Sequence, residues 1–147
     1  MSGDQLVKDW MTADPITIPW SASIIEAHQL MLKNEIRRLP VMDEEQLVGI
    51  VTLGDVRVAD PSEFGGPDLA MISSVYSKLA VDRVMSRPVI TVEPDTSVRE
   101  VARLMLENKI AGLPVIEEGR LVGIFSESDM FRMVLETAAD ALGEMNS

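Results

Sequence analysis

The two halves of the chain repeat each other. Residues 7–57 align with residues 81–131 without a gap, at a constant offset of about 74 residues, and roughly twenty of some fifty aligned positions are identical. Two copies are too few to form a solenoid, which needs a longer array of repeats. We therefore expect two similar units that pack face to face about a pseudo-two-fold axis, with related clefts between them.

Composition excludes several classes of protein. The chain has 147 residues, of which 46% are hydrophobic and 25% charged, as in an ordinary globular protein. Its net charge of −11 argues against nucleic acid and anionic membrane surfaces as partners. No apolar run approaches the roughly 20 residues of a spanning helix, and the first residues do not resemble a signal peptide. We expect a cytoplasmic protein without direct membrane contact.

Each repeat shows the same order of local signals. A short β-rich run precedes the pattern Ser-x-x-Glu, which predicts a capped helix beginning after Ser23 in one repeat and after Ser97 in the other. Two apolar runs separated by a short acidic turn then predict a hairpin, and a second helix follows. The chain is therefore predicted to have a mixed α/β (α+β) fold built from tandem β-α-β-β-α repeats.

These signals also predict boundaries. We divide the chain into a first repeat at 1–58, a connector loop and helix at 59–80, and a second repeat with a C-terminal helix at 81–147. Asp68 is expected to cap the connector helix. Asn34 and Asn108 are expected to end the first helix of each repeat in the left-handed conformation. Pro40 and Pro114 predict that their strands lie at a sheet edge, because proline cannot donate a ladder hydrogen bond.

The most suggestive chemical motif is Gly-x-x-Ser/Thr-x-x-Asp, which occurs from Gly49 to Asp55 and again from Gly123 to Asp129. It falls where a strand ends and a helix begins. One interpretation is a helix cap. The other is a nucleotide site, in which the hydroxyl and the backbone N–H groups favour phosphate and the carboxylate accepts hydrogen bonds from ribose hydroxyls. Both interpretations can hold at once.

Together these features resemble the CBS-domain pair, or Bateman module. The resemblance rests on Met11-Thr12, Leu39-Pro40-Val41, the Ser-x-x-Glu helix and the Gly-to-Asp motif, all repeated in register. It implies a regulatory module that binds AMP, ADP, ATP or S-adenosylmethionine in clefts between the repeats, and a homodimer. The ligand-binding residues that it implies are Ile16, Thr17, Arg37, Arg38, Pro40, Thr52 and Asp55, and in the second repeat Ile90, Thr91, Ala111, Pro114, Ser126 and Asp129.

The repeats differ where a phosphate would lie. Arg37 and Arg38 of the first repeat correspond to Ala111 and Gly112 of the second. Arginine suits bidentate contact with phosphate, although in so acidic a chain the two arginines could equally pair with carboxylates. We therefore predict that a phosphorylated adenine nucleotide prefers the first cleft, and that the second takes a neutral adenosine moiety or no ligand.

An enzyme finds little support in the sequence. The chain contains no phosphate-binding loop, dinucleotide-binding fingerprint, zinc-protease motif or cysteine, and its single histidine, His28, is expected to be packed on a helix face. We predict no catalysis, no metal and no cofactor beyond the regulatory ligand. The alternative to a sensor is a dimerisation or scaffold module without a ligand, possibly part of a transporter or an enzyme. The sequence does not identify the downstream effector.

Overall fold

The structure is a computed structural model that describes residues 4–59 and 78–146. The helix predicted after Asp68 lies outside these residues. The elements, in chain order, are β1 (Thr12–Ala13), β2 (Ile18–Pro19), α1 (Ile24–Asn34), β3 (Arg38–Asp43), β4 (Gln46–Thr52), α2 (Leu53–Ala59), α3 (Val98–Asn108), β5 (Gly112–Glu117), β6 (Arg120–Ser126) and α4 (Glu127–Asn146). Single 3₁₀ turns at Val7–Asp9 and Val81–Arg83 precede the strands.

The chain forms two compact units that do not coincide with the sequence repeats. One, the first unit, is Ile16–Val89, and the other, the second unit, is Met1–Pro15 with Ile90–Ser147. Each unit therefore contains the opening residues of the other repeat, which we call its leading segment: residues 7–15 in the second unit and residues 81–89 in the first. In the second unit, β1 pairs with β6, and in the first unit the backbone of Ser86 pairs with that of Ile50. The division of the sequence at residues 58 and 80 stays a prediction about repeats.

The sheet of the first unit has the order β2-β3-β4. β2 runs parallel to β3, with Ile18 opposite Val41, and β3 pairs antiparallel with β4, with Arg38 opposite Thr52. In the second unit β5 pairs antiparallel with β6, with Gly112 opposite Ser126. Val92 bridges Val115 in parallel there, which reproduces the β2–β3 pairing at the equivalent position. The predicted mixed α/β fold is confirmed in both units.

Each unit buries its own apolar core. In the first unit the core includes Ile24, Ala27 and Met31 of α1 together with Leu39, Val41 and Val51 of the sheet. In the second unit it includes the matching Val98, Val101, Met105, Leu113, Val115 and Phe125. The residues of β4 and β6 show the same burial at every position, so the repeat in sequence is a repeat in environment. His28 is half-buried, as expected.

In each unit, a methionine of the leading segment packs against a glycine of the hairpin. A Cβ placed on Gly49 would collide with the side chain of Met85, and one placed on Gly123 would lie 2.5 Å from Sδ of Met11 and 3.0 Å from the carbonyl oxygen of Thr12. Met11 and Met85 are equivalent in the two repeats, as are the two glycines. Only a residue without a side chain leaves room for methionine at this approach.

Two local predictions were wrong. The left-handed residues that end α1 and α3 are Glu35 and Lys109, with φ of 55° and 54°, whereas Asn34 and Asn108 are the last helical residues. Each asparagine stays helical and donates its amide to the carbonyl four residues earlier, at 2.9 Å. Their side chains therefore stabilise the last helical turn instead of the reversal that follows it.

The edge position predicted from Pro40 and Pro114 was also wrong. β3 lies between β2 and β4, and β5 is flanked by β6 and by Val92. Proline is tolerated in these strands because its nitrogen, which carries no hydrogen, lies before the first hydrogen bond of the parallel pairing. In the second unit this ladder starts with Val92 donating to the carbonyl of Pro114 at 3.1 Å, so the Pro114 carbonyl is used and its nitrogen precedes the first ladder bond.

Candidate functional site

The predicted residues of the first unit gather at one edge of its sheet. Because β2 and β3 are parallel and β4 is antiparallel to β3, the starts of β2 and β3 and the end of β4 share that edge. Ile16 and Thr17 immediately precede β2, and Thr52 ends β4. The side chains of Ile16 and Thr17 are exposed, whereas Pro40, further along β3, is buried. The register therefore groups residues that lie up to about forty positions apart in sequence.

Thr52 and Asp55 form a reciprocal cap at the start of α2. The backbone N–H of Thr52 donates to Oδ2 of Asp55 at 2.9 Å, and the N–H of Asp55 donates to Oγ1 of Thr52 at 3.1 Å. The cap interpretation of the motif is therefore correct here. The cap uses Oδ2 of a half-buried carboxylate, and a carboxylate has about four acceptor positions, so Asp55 can also accept from a ligand.

Arg37 and Arg38 stand beside this cap. The carbonyl of Arg37 accepts a 2.7 Å hydrogen bond from the N–H of Leu53, the first residue of α2, and Arg38 is the register partner of Thr52. The Arg37 side chain is exposed and that of Arg38 is half-buried. The N–H groups of Thr52, Leu53 and Asp55 are all engaged within the fold, so a phosphate at this edge would be held by the guanidinium groups and not by these amides.

The equivalent edge of the second unit has the same backbone and different chemistry. The N–H of Glu127 donates to the carbonyl of Ala111 at 3.0 Å, which matches the Leu53–Arg37 bond. Ile90 is half-buried and Thr91 exposed, and Pro114 is buried in β5. With Ala111 and Gly112 in place of the arginine pair, this edge presents no cation from the start of its strand.

Asp129 is also more enclosed than Asp55. It is 7% exposed, and its Oδ2 accepts from both the N–H and the Oγ of Ser126, at 3.0 and 3.3 Å. Its Oδ1 lies 3.4 Å from Nη2 of Arg132, one turn further along α4. Asp129 therefore has a cationic neighbour on its own helix.

Arg132 and Trp10 were missed by sequence reasoning. The same Nη2 of Arg132 donates to the carbonyl of Trp10 at 2.8 Å, and its guanidinium lies 5.3 Å from the centre of the Trp10 ring, within the range of a cation–π contact. Trp10 in turn donates from Nε1 to Gln5 at 2.9 Å. The spacing of Asp129 and Arg132, three apart on a predicted helix, was the available signal. No periodicity links Trp10 to a residue 122 positions away.

A surface depression of about 680 Å³ lies elsewhere in the first unit, beside β2 and α1. Of the predicted ligand-binding residues it includes only Thr17, and Glu26, Gln29 and Lys33 of α1 form its polar wall. All three are exposed, so this depression is an open surface and does not mark the cluster around Asp55.

The described residues hold neither a metal-binding cluster nor a membrane-spanning helix. Residues 4–59 and 78–146 contain no group of three or more His, Cys, Asp or Glu side chains arranged to hold a metal ion. Within the same residues, no helix combines the length and the apolar character needed to cross a membrane.

Solved structures of similar chains were obtained with adenosine-containing ligands. The CBS domain pair of protein MJ0100, in complex with 5′-methylthioadenosine and S-adenosyl-L-methionine, superposes with a TM-score of 0.76 at 32% identity, covering 92% of this chain and 99% of that one. CBSX2 in complex with AMP superposes with a TM-score of 0.75 at 30% identity, covering 91% and 98%.

Sequence relatives include much longer proteins. A homoserine O-acetyltransferase of Methanosalsum zhilinae is 35% identical over 130 residues, which are 87% of this chain and 24% of that protein. The chain thus spans about a quarter of the length of the first curated relatives that it matches. The profile of the CBS domain matches residues 7–62 and again residues 81–136, which together exceed half of the chain. The chain belongs to the CBS domain family, as a tandem pair.

Proposed function

We propose that the chain is a regulatory module that binds an adenosine-containing ligand, and that a phosphorylated form such as AMP, ADP or ATP prefers the first unit. The module acts without catalysis by changing the affinity or orientation of a protein to which it is coupled. The relatives that contain similar segments within longer enzymes are consistent with such coupling. We expect the module to operate in the cytoplasm.

The observation that carries this proposal is the grouping of an exposed arginine with a half-buried carboxylate at one sheet edge. Asp55 offers acceptor positions to the two hydroxyls of a ribose, and Arg37 offers a fork of donors to a phosphate. The bond between Leu53 and the Arg37 carbonyl fixes the spacing of these two groups in the backbone. Adenosine-containing ligands in the solved CBS pairs support the same class of ligand here.

The second unit supports such a ligand less well, at both the ribose and the phosphate. Its Asp129 is more enclosed than Asp55, and Ala111 replaces the arginine. The proposal therefore assigns Thr52, Asp55, Arg37 and Arg38, with Ile16, Thr17 and Pro40 around them, to the preferred site. Ser126, Asp129, Ile90, Thr91, Ala111 and Pro114 form the weaker one.

We also propose that the module is a homodimer. Several large apolar side chains of the helices are exposed, including Leu32 of α1, Leu106 of α3 and Leu135 of α4, at 64%, 81% and 71%. Leu32 and Leu106 are equivalent in the two repeats, so both units present an apolar side chain near the end of their first helix. Sedimentation equilibrium at micromolar concentration should report twice the chain mass of 16.2 kDa. A monomer would contradict this part of the proposal.

Denaturation with and without ligand tests the ligand proposal. A ligand that binds only the folded state raises the free energy of unfolding by about 2.7 kcal/mol at a hundredfold excess over Kd. We expect AMP, adenosine or S-adenosylmethionine to raise the urea midpoint, and guanosine to serve as the matched control. If none of the adenosine compounds raises the midpoint at millimolar concentration, the scaffold alternative stands.

A further inference from the structure

The two aspartates have unequal capacity left for a ligand. A carboxylate provides about four acceptor positions. Among the described residues, Asp55 accepts at one of them, from the N–H of Thr52. Asp129 accepts at three, from the N–H and Oγ of Ser126 and from Nη2 of Arg132. A ribose diol offers two donors, so it fits Asp55 as it stands and does not fit Asp129 unless a bond is given up.

Arg132 makes the longest of these three contacts, but its position does not depend on Asp129. Its distance of 3.4 Å to Oδ1 of Asp129 exceeds the 2.7–2.9 Å typical of a strong N⁺–H···O⁻ contact. The side chain of Arg132 is also held independently of Asp129, by the Trp10 carbonyl and by the Trp10 ring. The guanidinium therefore stays over the carboxylate without needing the carboxylate to anchor it.

This arrangement is particular to the second unit. The positions of Trp10 and Arg132 correspond to Val84 and Val58 in the first unit, neither of which can form a cation–π contact or an ion pair. The two units therefore differ at one position of the leading segment and at one position of the last helix. It is also separate from the replacement of Arg37 and Arg38 by Ala111 and Gly112, and it acts on the ribose and not on the phosphate.

We infer that Arg132 is a specificity-determining residue: by occupying Asp129 it keeps a ribose diol out of the second unit, so that even uncharged adenosine binds first at Asp55. This inference rests on the proposed function. It differs from the arginine-pair argument because it predicts a preference for the first unit with a ligand that carries no phosphate.

Adenosine titrations of the full chain by calorimetry test the inference in a background where the first unit is disabled. Asp55→Asn serves for this, because the amide oxygen can still accept from the N–H of Thr52 while the amide can no longer accept both ribose hydroxyls. Adding Arg132→Met to this background should tighten adenosine binding about fivefold, the scale of one partly exposed ion pair. Arg99→Met, which removes an exposed arginine elsewhere in the same unit, is the charge-matched control and should change nothing.

A second variant and a salt series separate competition from a change in folding. Arg132→Gln removes the charge but keeps a polar side chain that favours helix, and it should give the same gain. Raising the ionic strength screens the ion pair, so adenosine affinity should rise with salt in Asp55→Asn alone and stay constant once Arg132 is replaced. A merely structural role of Arg132 would not produce this difference.

The outcomes are distinguishable. If the unsubstituted chain binds adenosine but neither Arg132 variant gains affinity over the Arg99 control, the inference is overturned and the proposed function stands. If the unsubstituted chain and every variant fail to bind adenosine and AMP, the proposed function fails and the inference fails with it. A gain in both Arg132 variants, lost at high salt, supports the inference.

Discussion

The two units use one backbone design for two different arrangements of charged groups. Equivalent hydrogen bonds join Leu53 to the Arg37 carbonyl and Glu127 to the Ala111 carbonyl, so the geometry of the sheet edge is the same in both. In the first unit that edge carries exposed positive charge and a carboxylate with acceptor positions to spare. In the second, the strand start has no arginine, and Arg132 of α4 lies next to the Asp129 carboxylate instead. We therefore expect repetition to fix where a ligand could lie, and the substitutions between the units to decide what binds there.

The largest expected effect follows from removing the arginine pair of the first unit, which tests the contrast with a phosphorylated ligand. Arg37→Ala together with Arg38→Ala should weaken AMP binding about tenfold to a hundredfold and leave adenosine nearly unchanged, because a charge-assisted contact contributes roughly 1.5–3 kcal/mol. Calorimetry with both ligands measures it, and Arg99→Ala matches the loss of one positive charge in the single variant Arg37→Ala. Since Arg38 also makes other interactions, Arg37→Ala alone should be measured as the cleaner variant. Equal loss of AMP and adenosine would contradict the phosphate role.

A second effect concerns stability and compares the two glycines. Gly123→Ala should cost about 1–3 kcal/mol of unfolding free energy, because its methyl group meets the backbone carbonyl of Thr12 as well as Met11. Gly49→Ala should cost less, because its close contacts are all with the flexible side chain of Met85. Urea unfolding of both variants measures the difference. A larger cost at Gly49 would show that the leading segments are not held as described.

A third effect tests the serine caps, which both helices share, although only α1 adds the reciprocal bond from the N–H of Ser23 to the Glu26 carboxylate. Ser23 and Ser97 each accept a 3.1 Å hydrogen bond from the N–H three residues later, at the start of α1 and α3. Ser23→Ala and Ser97→Ala should therefore lower the unfolding free energy by similar amounts, about 1 kcal/mol each. Urea denaturation measures both. If only one of the two variants lost unfolding free energy, the two serine caps would not contribute equally to stability.

The smallest effect lies on the surface of α3. Arg103 pairs with Glu100 and Glu107, and the hydrogen bond from Arg103 lowers the pKa of Glu100 below its ordinary 4.5. A carboxyl with a lowered folded-state pKa stabilises the fold above its unfolded pKa, and this contribution is lost as the pH falls through the folded pKa.

These groups are exposed, so Arg103→Gln should change the urea midpoint little at about pH 7. The remaining difference between variant and parent should vanish on acidification below the lowered pKa of Glu100. Urea midpoints from about pH 7 to pH 3 measure it, with Gln29, which already occupies the equivalent position of α1, as the natural comparison. A difference that grows on acidification would contradict this sign.

Much of the fold could be predicted because the repeat doubles every local signal. The helices after Ser23 and Ser97, the two hairpins and the grouping of Thr52 with Asp55 all follow from short-range patterns. The exchange of leading segments could not be predicted, because Met11 and Met85 have the same local sequence context and each could pack on either Gly49 or Gly123. Local patterns do not distinguish two partners that look alike.

The candidate site was predictable in part. The motif located Asp55 and Asp129, but the same residues serve as caps, and the pattern does not reveal how much of each carboxylate the cap consumes. The contact between Arg132 and Trp10 joins distant parts of the chain and depends on the segment exchange, so it had no counterpart in sequence. The left-handed Glu35 was missed because the amide of Asn34 prefers the carbonyl of Leu30.

The inequality of the two units is tested most directly by one pair of conservative substitutions. Asp55→Asn and Asp129→Asn each retain a side-chain oxygen that can serve the cap, and each removes the ability to accept from both ribose hydroxyls. AMP titrated calorimetrically into the two variants should bind Asp129→Asn nearly as tightly as the parent and bind Asp55→Asn at least about tenfold more weakly. Equal weakening in the two variants, or loss of AMP only in Asp129→Asn, would contradict the assignment of the preferred site to the first unit.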